Sequence, residues 1–345
     1  MFASWCVFGI FCLEGELKDY ELFSNPESFL KLKEGEVCEE LIKLSKRHGD
    51  LILEDERIAE KLGLLWEFPN PAGIFLRKNL FELAKRFKID LKNLMHETSL
   101  KLARSGVRKA SGRRDRMIIS GVKSMEDLDS AINLFSERLR EWFSLYNPEL
   151  AREISSNLKF AERVLNLDVM PSEMGAELSE EDRKVIVSLA QTTLDLFEQR
   201  RRTEEYVTKE TTKLAPNVSS LLGAILTAKL ISAAGGLKEL AILPSSTVQL
   251  LGAEKALFRH LRYGASPPKH GLIFSYPLIS SSAWWQRGKI ARTLASKIAI
   301  LAKVDHFGGE FVADDIENEI LKRVESVRRA FPKPPRKKPK RRFKR

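Results

Sequence analysis

Two long runs of apolar residues at helical spacing occupy the middle of the chain. Val122, Met125, Leu128, Ile132, Phe135, Leu139 and Trp142 step by 3, 3, 4, 3, 4 and 3, which lines one face of a single helix. Glu126, Asp127, Asp129, Glu137, Arg138, Arg140 and Glu141 fall between them and make a solvated face. Asn147-Pro148 interrupts the run, because a residue before proline avoids the helical region. After a loop around Met170 to Glu177, Ile186, Leu189, Thr193, Leu196 and Arg200 step by 3, 4, 3 and 4. Ser179 stands three residues before Asp182 at the start of that run, the spacing of a capping box. Two long helices joined by a loop pack antiparallel. Phe135, Trp142, Phe143, Leu194 and Phe197 are more large apolar surface than one two-helix seam hides. That excess predicts a homodimer with Phe135, Leu139, Trp142, Leu194 and Phe197 at the contact. A rigid spacer packed only on itself is the other reading.

The flanking regions follow other patterns. Phe2 to Leu13 is rich in aromatic and β-branched residues and ends at Glu14-Gly15-Glu16, which predicts a strand and a turn. Val37 to His48 reads as a helix closed by Gly49, Leu51 to Leu53 as a second strand, and Asn79 to Phe87 and Ile89 to Arg104 as helices. Beyond the hairpin, Pro216 is a hinge. Ser219 to Ala233 reads as one helix ended by Gly236. Pro244-Ser-Ser-Thr247 reads as a helix start with hydroxyl caps, and Leu272 to Phe274 as a short extended segment. Gly288 opens an Ala-rich helix, and a short final helix runs to Ala330. The expected fold is mostly α with a small N-terminal α/β domain, a long antiparallel coiled coil and a helical C-terminal domain. The expected boundaries are 1–114, 115–212 and 213–331, followed by a disordered basic tail, 332–345.

Charge sharpens the picture at one end only. Nine of the eleven net positive charges lie between Lys333 and Arg345, where there is no acid. The body is therefore near neutral, and local patches must carry any nucleic-acid contact. Cys6, Cys12 and Cys38 are odd in number and have no metal-cluster spacing, so reduced structural thiols are expected. His48, His96, His260, His270 and His306 form no ligand set, and no glycine-rich cofactor loop is present. No catalytic residue, metal or cofactor is expected, and no membrane partner, since no run approaches the ~20 apolar residues of a span.

Candidate binding residues concentrate between 244 and 305. Lys255 and Arg259 are four apart and share a helix face, which suits one phosphate strand. Gln249 and Glu254 lie beside them. All four also fit the exposed side of an ordinary core helix. Lys269 and His270 follow two prolines in a turn, where Lys269 suits phosphate and His270 an unpaired base, or both shape the turn. Lys289 and Arg292 extend the basic face. Trp284-Trp285 reads either as a stacking surface or as a buried and half-exposed pair.

The segments PSSTVQLLGAEKALFRHL, HGLIFSYPLI, GKIARTLASKIAILAKVD and, upstream, RRDRMIISGVKSMEDLDSAINLFSERLREWFSLYNPEL resemble the Nop-domain family, closest to its archaeal box C/D ribonucleoprotein scaffolds of the Nop56/Nop58 kind. The resemblance implies a noncatalytic scaffold that bridges the methyltransferase fibrillarin to a box C/D guide RNA and to a kink-turn-binding ribosomal-like protein. It implies fibrillarin on residues 1–114 and RNA at Gln249, Lys255, Arg259, Lys269, His270, Lys289 and Arg292. It implies the partner protein at Glu254, Ala256 and Phe258, and a cytoplasmic location in an archaeon or a nucleolar one in a eukaryote. A spliceosomal Nop scaffold and a generic RNA-binding coiled-coil protein are the alternatives.

Overall fold

The computed structural model describes residues 1–335 apart from 167–171 and 173. Met170 and all but the first residues of the expected basic tail lie outside the described residues. Two compact units divide the chain, Met1–Gly112 and Arg113–Arg345.

The first unit is an α/β layer structure. β1 (Phe2–Cys6) and β2 (Gly9–Glu14) form an antiparallel hairpin, and β3 (Glu16–Leu22) continues it. β4 (Ile52–Leu53) and β5 (Leu65–Trp66) add in parallel on the far side, giving the order β3-β2-β1-β4-β5. The single strand expected over Phe2 to Leu13 is thus two strands. The turn is hard to read because both sheet faces are covered, which removes the alternation of apolar and polar residues. Leu32, Leu41, Leu44 and Ile58 from three helices pack on one side, and Leu76, Leu83 and Leu91 with Phe11 on the other. Gly9 is required at the hairpin, since a Cβ there would lie 2.7 Å from the Glu21 carbonyl oxygen. Helix Pro71–Arg86 starts earlier than expected, with Pro at its first turn and the Asn70 side chain accepting from the Gly73 N–H.

The second unit opens with the hairpin of Arg114–Ser144 and Glu180–Leu214. Arg114 meets Glu210, Asp129 meets Arg200, and Leu139 packs in one cluster with Ile186, so the helices run antiparallel. The Ser179–Asp182 capping box is formed in both directions. The tip departs from expectation. Two further helices, Pro148–Glu153 and Asn157–Leu165, close it. Phe160 from the second meets Phe143 edge-on at 5.5 Å, and Phe143 meets Tyr146 at 5.8 Å. Phe143 and Leu139 are wholly buried in this local core. Neither has surface left for a second chain, which corrects the expected contact at Leu139 and the counting of Phe143 as excess. Phe135, Leu194 and Phe197 are half-buried, and Trp142 remains 47% exposed.

The remaining helices surround a core built from Leu230, Ile231, Leu240, Val248, Ile290, Leu294, Ile298, Leu301 and Ile320. The helix expected over 219–233 is two, Pro216–Leu222 and Ala224–Ala234, bent by 119°. Gly223 makes the break with φ +81°, a region open to glycine. Gly235, not Gly236, takes the left-handed position that ends the second helix. No single described helix is long and apolar enough to cross a membrane. Two polar clamps tie these helices together. The Asp305 carboxylate accepts from the Asn217 and Val218 backbone N–H groups, both at 3.0 Å, and from Asn217 Nδ2 at 2.8 Å. Arg113 bridges Asp115 and Glu239, and Asp115 also accepts from the Leu237 N–H.

Candidate nucleic-acid interface

The segments around Gln249 and His270 are laced by their backbones. Gly271 N donates to Gln249 O at 2.9 Å, Leu272 N donates to Leu251 O at 2.7 Å, and Gln249 Nε2 donates to Lys269 O at 2.6 Å. Gly271 permits the approach, since a Cβ there would lie 1.9 Å from the Leu251 carbonyl oxygen. The Gln249 amide therefore holds the turn that presents Lys269 and His270. The segment after them is a 3-10 turn, Leu272–Ser275, rather than an extended stretch. His270 is half-buried and stacks on Phe274 at 4.5 Å and 14°. Burial, then Arg287 and Lys269 nearby, push its pKa below the ordinary 6.5, so the ring is neutral at neutral pH.

Helix Glu254–Tyr263 follows Gly252 and buries none of its residues. Lys255 and Arg259 are exposed, Ala256 is half-buried and Phe258 is 65% exposed. Glu254 accepts from the Gly252 N–H at 2.7 Å and so shapes the helix entry. The hydroxyls of Ser245, Ser246 and Thr247 do not cap helix Ser245–Leu250, contrary to expectation.

The third group surrounds the start of helix Arg287–Phe307. Lys289 and Arg292 are exposed there. Arg287 donates to the carbonyls of Ser282 and Ser280 at 2.9 and 3.1 Å and lies 5.2 Å from the Phe274 ring centre. Lys269 Nζ lies 5.0 Å from the Trp284 ring centre and Lys289 Nζ 4.0 Å from that of Phe331. The structure thus brings Gln249, Lys269 and His270 together. It gathers Lys269 and Lys289 around Trp284 and Phe331, and sets Lys255 and Arg259 on a helix of their own.

Arg287 and Phe274 are not among the expected site residues, and of the Trp284-Trp285 pair Trp284 is the exposed member. A sequence signal was present: between Glu254 and Asp305 there are nine Lys or Arg and no acid. In contrast, Arg200, Arg201 and Arg202 on the hairpin are paired with Asp129, Glu198, Glu204 and Glu205. Arg201 and Arg202 hold the Glu198 carboxyl down at about 2, so that run is an ion-paired helix surface.

Comparison with known proteins assigns most of the chain. The family described as "Nop: snoRNA binding domain, fibrillarin" matches residues 124–171 and 162–326, and "Archaeal Nop5/56-rel, N-terminal domain" matches residues 2–108. The chain belongs to the Nop family. An uncharacterized NOP5 family protein of Methanocaldococcus jannaschii is 39% identical over 334 residues, 88% of this chain and 78% of that protein. Nucleolar protein 58 of Candida albicans is 31% identical over 80% of this chain, and that of Schizosaccharomyces pombe 32% over 79%. The chain spans 61% and 62% of those two fungal proteins. A solved fibrillarin/Nop5p complex aligns over 94% of this chain and 100% of the solved chain, with 27% identity and a TM-score of 0.44. The acid-free run between Glu254 and Asp305 falls inside the Nop match.

Proposed function

We propose that this Nop-family chain is a noncatalytic scaffold of a box C/D RNA-guided 2′-O-methylation ribonucleoprotein. In this reading residues 1–114 hold fibrillarin and residues 115–212 form a homodimer. Residues 213–331 bind a kink-turn RNA together with its kink-turn-binding protein, and the tail 332–345 adds nonspecific RNA affinity. The observation that carries it is the coincidence of the snoRNA-binding family match with a sequence run that holds nine Lys or Arg and no acid. Lys255, Arg259, Lys269, Lys289 and Arg292 supply the phosphate contacts, and Phe258 with Ala256 and Glu254 the protein contact. Binding through phosphates is salt-dependent. The dimer reading draws support from exposed Trp142, which lines a groove of about 370 Å³ with Val185, Leu189 and Thr192.

A gel shift on a kink-turn box C/D RNA, with and without the kink-turn-binding protein, tests the reading. The chain is expected to shift only the preformed protein–RNA complex. Equal binding to free RNA would reduce the function to generic RNA binding driven by the tail. No shift of either would reject it.

A further inference from the structure

We propose that Trp284 is a stacking platform for an unpaired nucleotide of the bound RNA, with Lys269 and Lys289 placed to meet the phosphates beside it. The inference rests on the RNA-binding reading above and adds a site to it. Trp284 is 54% exposed, whereas its neighbour Trp285 is half-buried. The two indoles meet edge-on at 5.8 Å and 89°, so Trp285 braces Trp284 from the side. Trp285 is itself pinned, because its Nε1–H donates to the Phe331 carbonyl at 2.8 Å, and Gln286 Nε2 donates to the same oxygen at 2.8 Å. The Phe331 ring in turn lies 4.0 Å from Lys289 Nζ. Lys269 Nζ lies over the Trp284 ring, 5.0 Å from its centre, so a base stacking on that face takes the place of the ammonium and frees it for the neighbouring phosphate.

The result is a wall in the order Lys269, Trp284, Trp285, Phe331, Lys289. Cations flank aromatic faces, and no acid occurs in the sequence between Glu254 and Asp305. Single-stranded nucleic acid is bound by this combination, since an unpaired base offers a π-face and its phosphates seek the cations. A base within a duplex is already stacked on both sides and cannot reach such a platform. The occupant is therefore a nucleotide in a single-stranded flank of the RNA, not the paired stem. The Phe331 carbonyl gives the C-terminal segment a defined job, which is to hold the second indole so that the first stands outward.

The test compares two RNAs with one kink-turn stem, blunt or carrying a short single-stranded flank, each with the kink-turn-binding protein present. The full-length protein is used as wild type, Trp284→Ala and Trp284→Phe. The wild type is expected to bind the flanked RNA more tightly. Trp284→Ala is expected to lose roughly 5- to 150-fold on the flanked RNA and to leave the blunt one unchanged, with Trp284→Phe recovering most of the loss. Abasic nucleotides in the flank should cost the unmodified protein a similar factor, which keeps the test intact if a variant folds poorly. Equal loss on both RNAs would make Trp284 a structural residue and overturn the proposal. A wild type that binds both RNAs equally would also overturn it while leaving the RNA-binding reading in place. Failure of the wild type to bind either RNA would remove both.

Discussion

Replacing Asp305 by Ala should destabilise the second unit far more than loss of one surface carboxylate would. Helix Pro216–Leu222 has Ala215 at its N-cap and no side-chain cap of its own. Asp305, on helix Arg287–Phe307, supplies the missing acceptor to two backbone donors. Those donors belong to Asn217 and Val218, which are buried. An unsatisfied buried N–H costs about 1–3 kcal/mol, so two orphaned donors amount to about 2–6 kcal/mol. For a unit of this size each kcal/mol moves Tm by roughly 2–4 °C, and a loss of about 3 kcal/mol gives a fall of roughly 6–12 °C. Asp305→Asn keeps one acceptor oxygen and should fall about midway. Thermal melts by far-UV circular dichroism measure the shift, and amide exchange over 216–222 localises it. A Tm for Asp305→Ala within about 1 °C of wild type, or an Asn variant as unstable as the Ala variant, would refute the reasoning.

Four further outcomes are expected. The Glu239 carboxyl is held below its ordinary 4.5, chiefly by the hydrogen bond from Arg113; a depressed folded pKa stabilises above the unfolded value and fails as pH falls through the folded one. Stability should therefore decline below about pH 4.5, and Glu239→Gln should flatten that decline in pH-dependent melts. Gly271→Ala sets a Cβ against the Leu251 backbone, so the variant should lower Tm and weaken RNA assembly together; a variant that binds and melts like wild type would contradict the laced-turn geometry. Arg259→Glu, on an exposed helix face, should weaken assembly on the kink-turn RNA in gel shifts and leave Tm and oligomeric state unchanged. Trp142→Asp should shift sedimentation toward monomer at micromolar concentration, and a wild type that already sediments as a monomer would end the dimer reading.

The hairpin is the most legible part of the sequence. Its two runs keep one period for seven and five residues, and Ser179 and Asp182 form the predicted cap. The tip is less so, because Asn157–Leu165 has one short amphipathic pattern and its partner Phe143 lies in another element. The N-terminal sheet hides its hairpin for a different reason. Burial on both faces turns Phe2 to Leu13 into an unbroken apolar run, and β4 and β5 have two residues each. At the candidate interface the exposed positions of Lys255, Arg259, Lys289 and Arg292 are legible one by one. Gln249 is not, since nothing local tells an amide that will reach RNA from one that will hold the Lys269 carbonyl. The Asp305 clamp joins residues 88 apart, a distance over which spacing carries no information. The acid-free run between Glu254 and Asp305, in contrast, is plain in the sequence and marks Arg287 and Trp284 as members of a positively charged neighbourhood.

The hairpin is also a lever. Helix Glu180–Leu214 has 35 residues, which makes it about 52 Å long. At that radius an error of one degree at the base displaces the tip by roughly 1 Å. The bridges from Arg113 and Asp115 to Glu239 and Leu237 sit at the base, where the angle is set. These polar contacts, together with the packing of Ile118, Val122 and Val207 with Ala228, consequently set how accurately the far end is aimed.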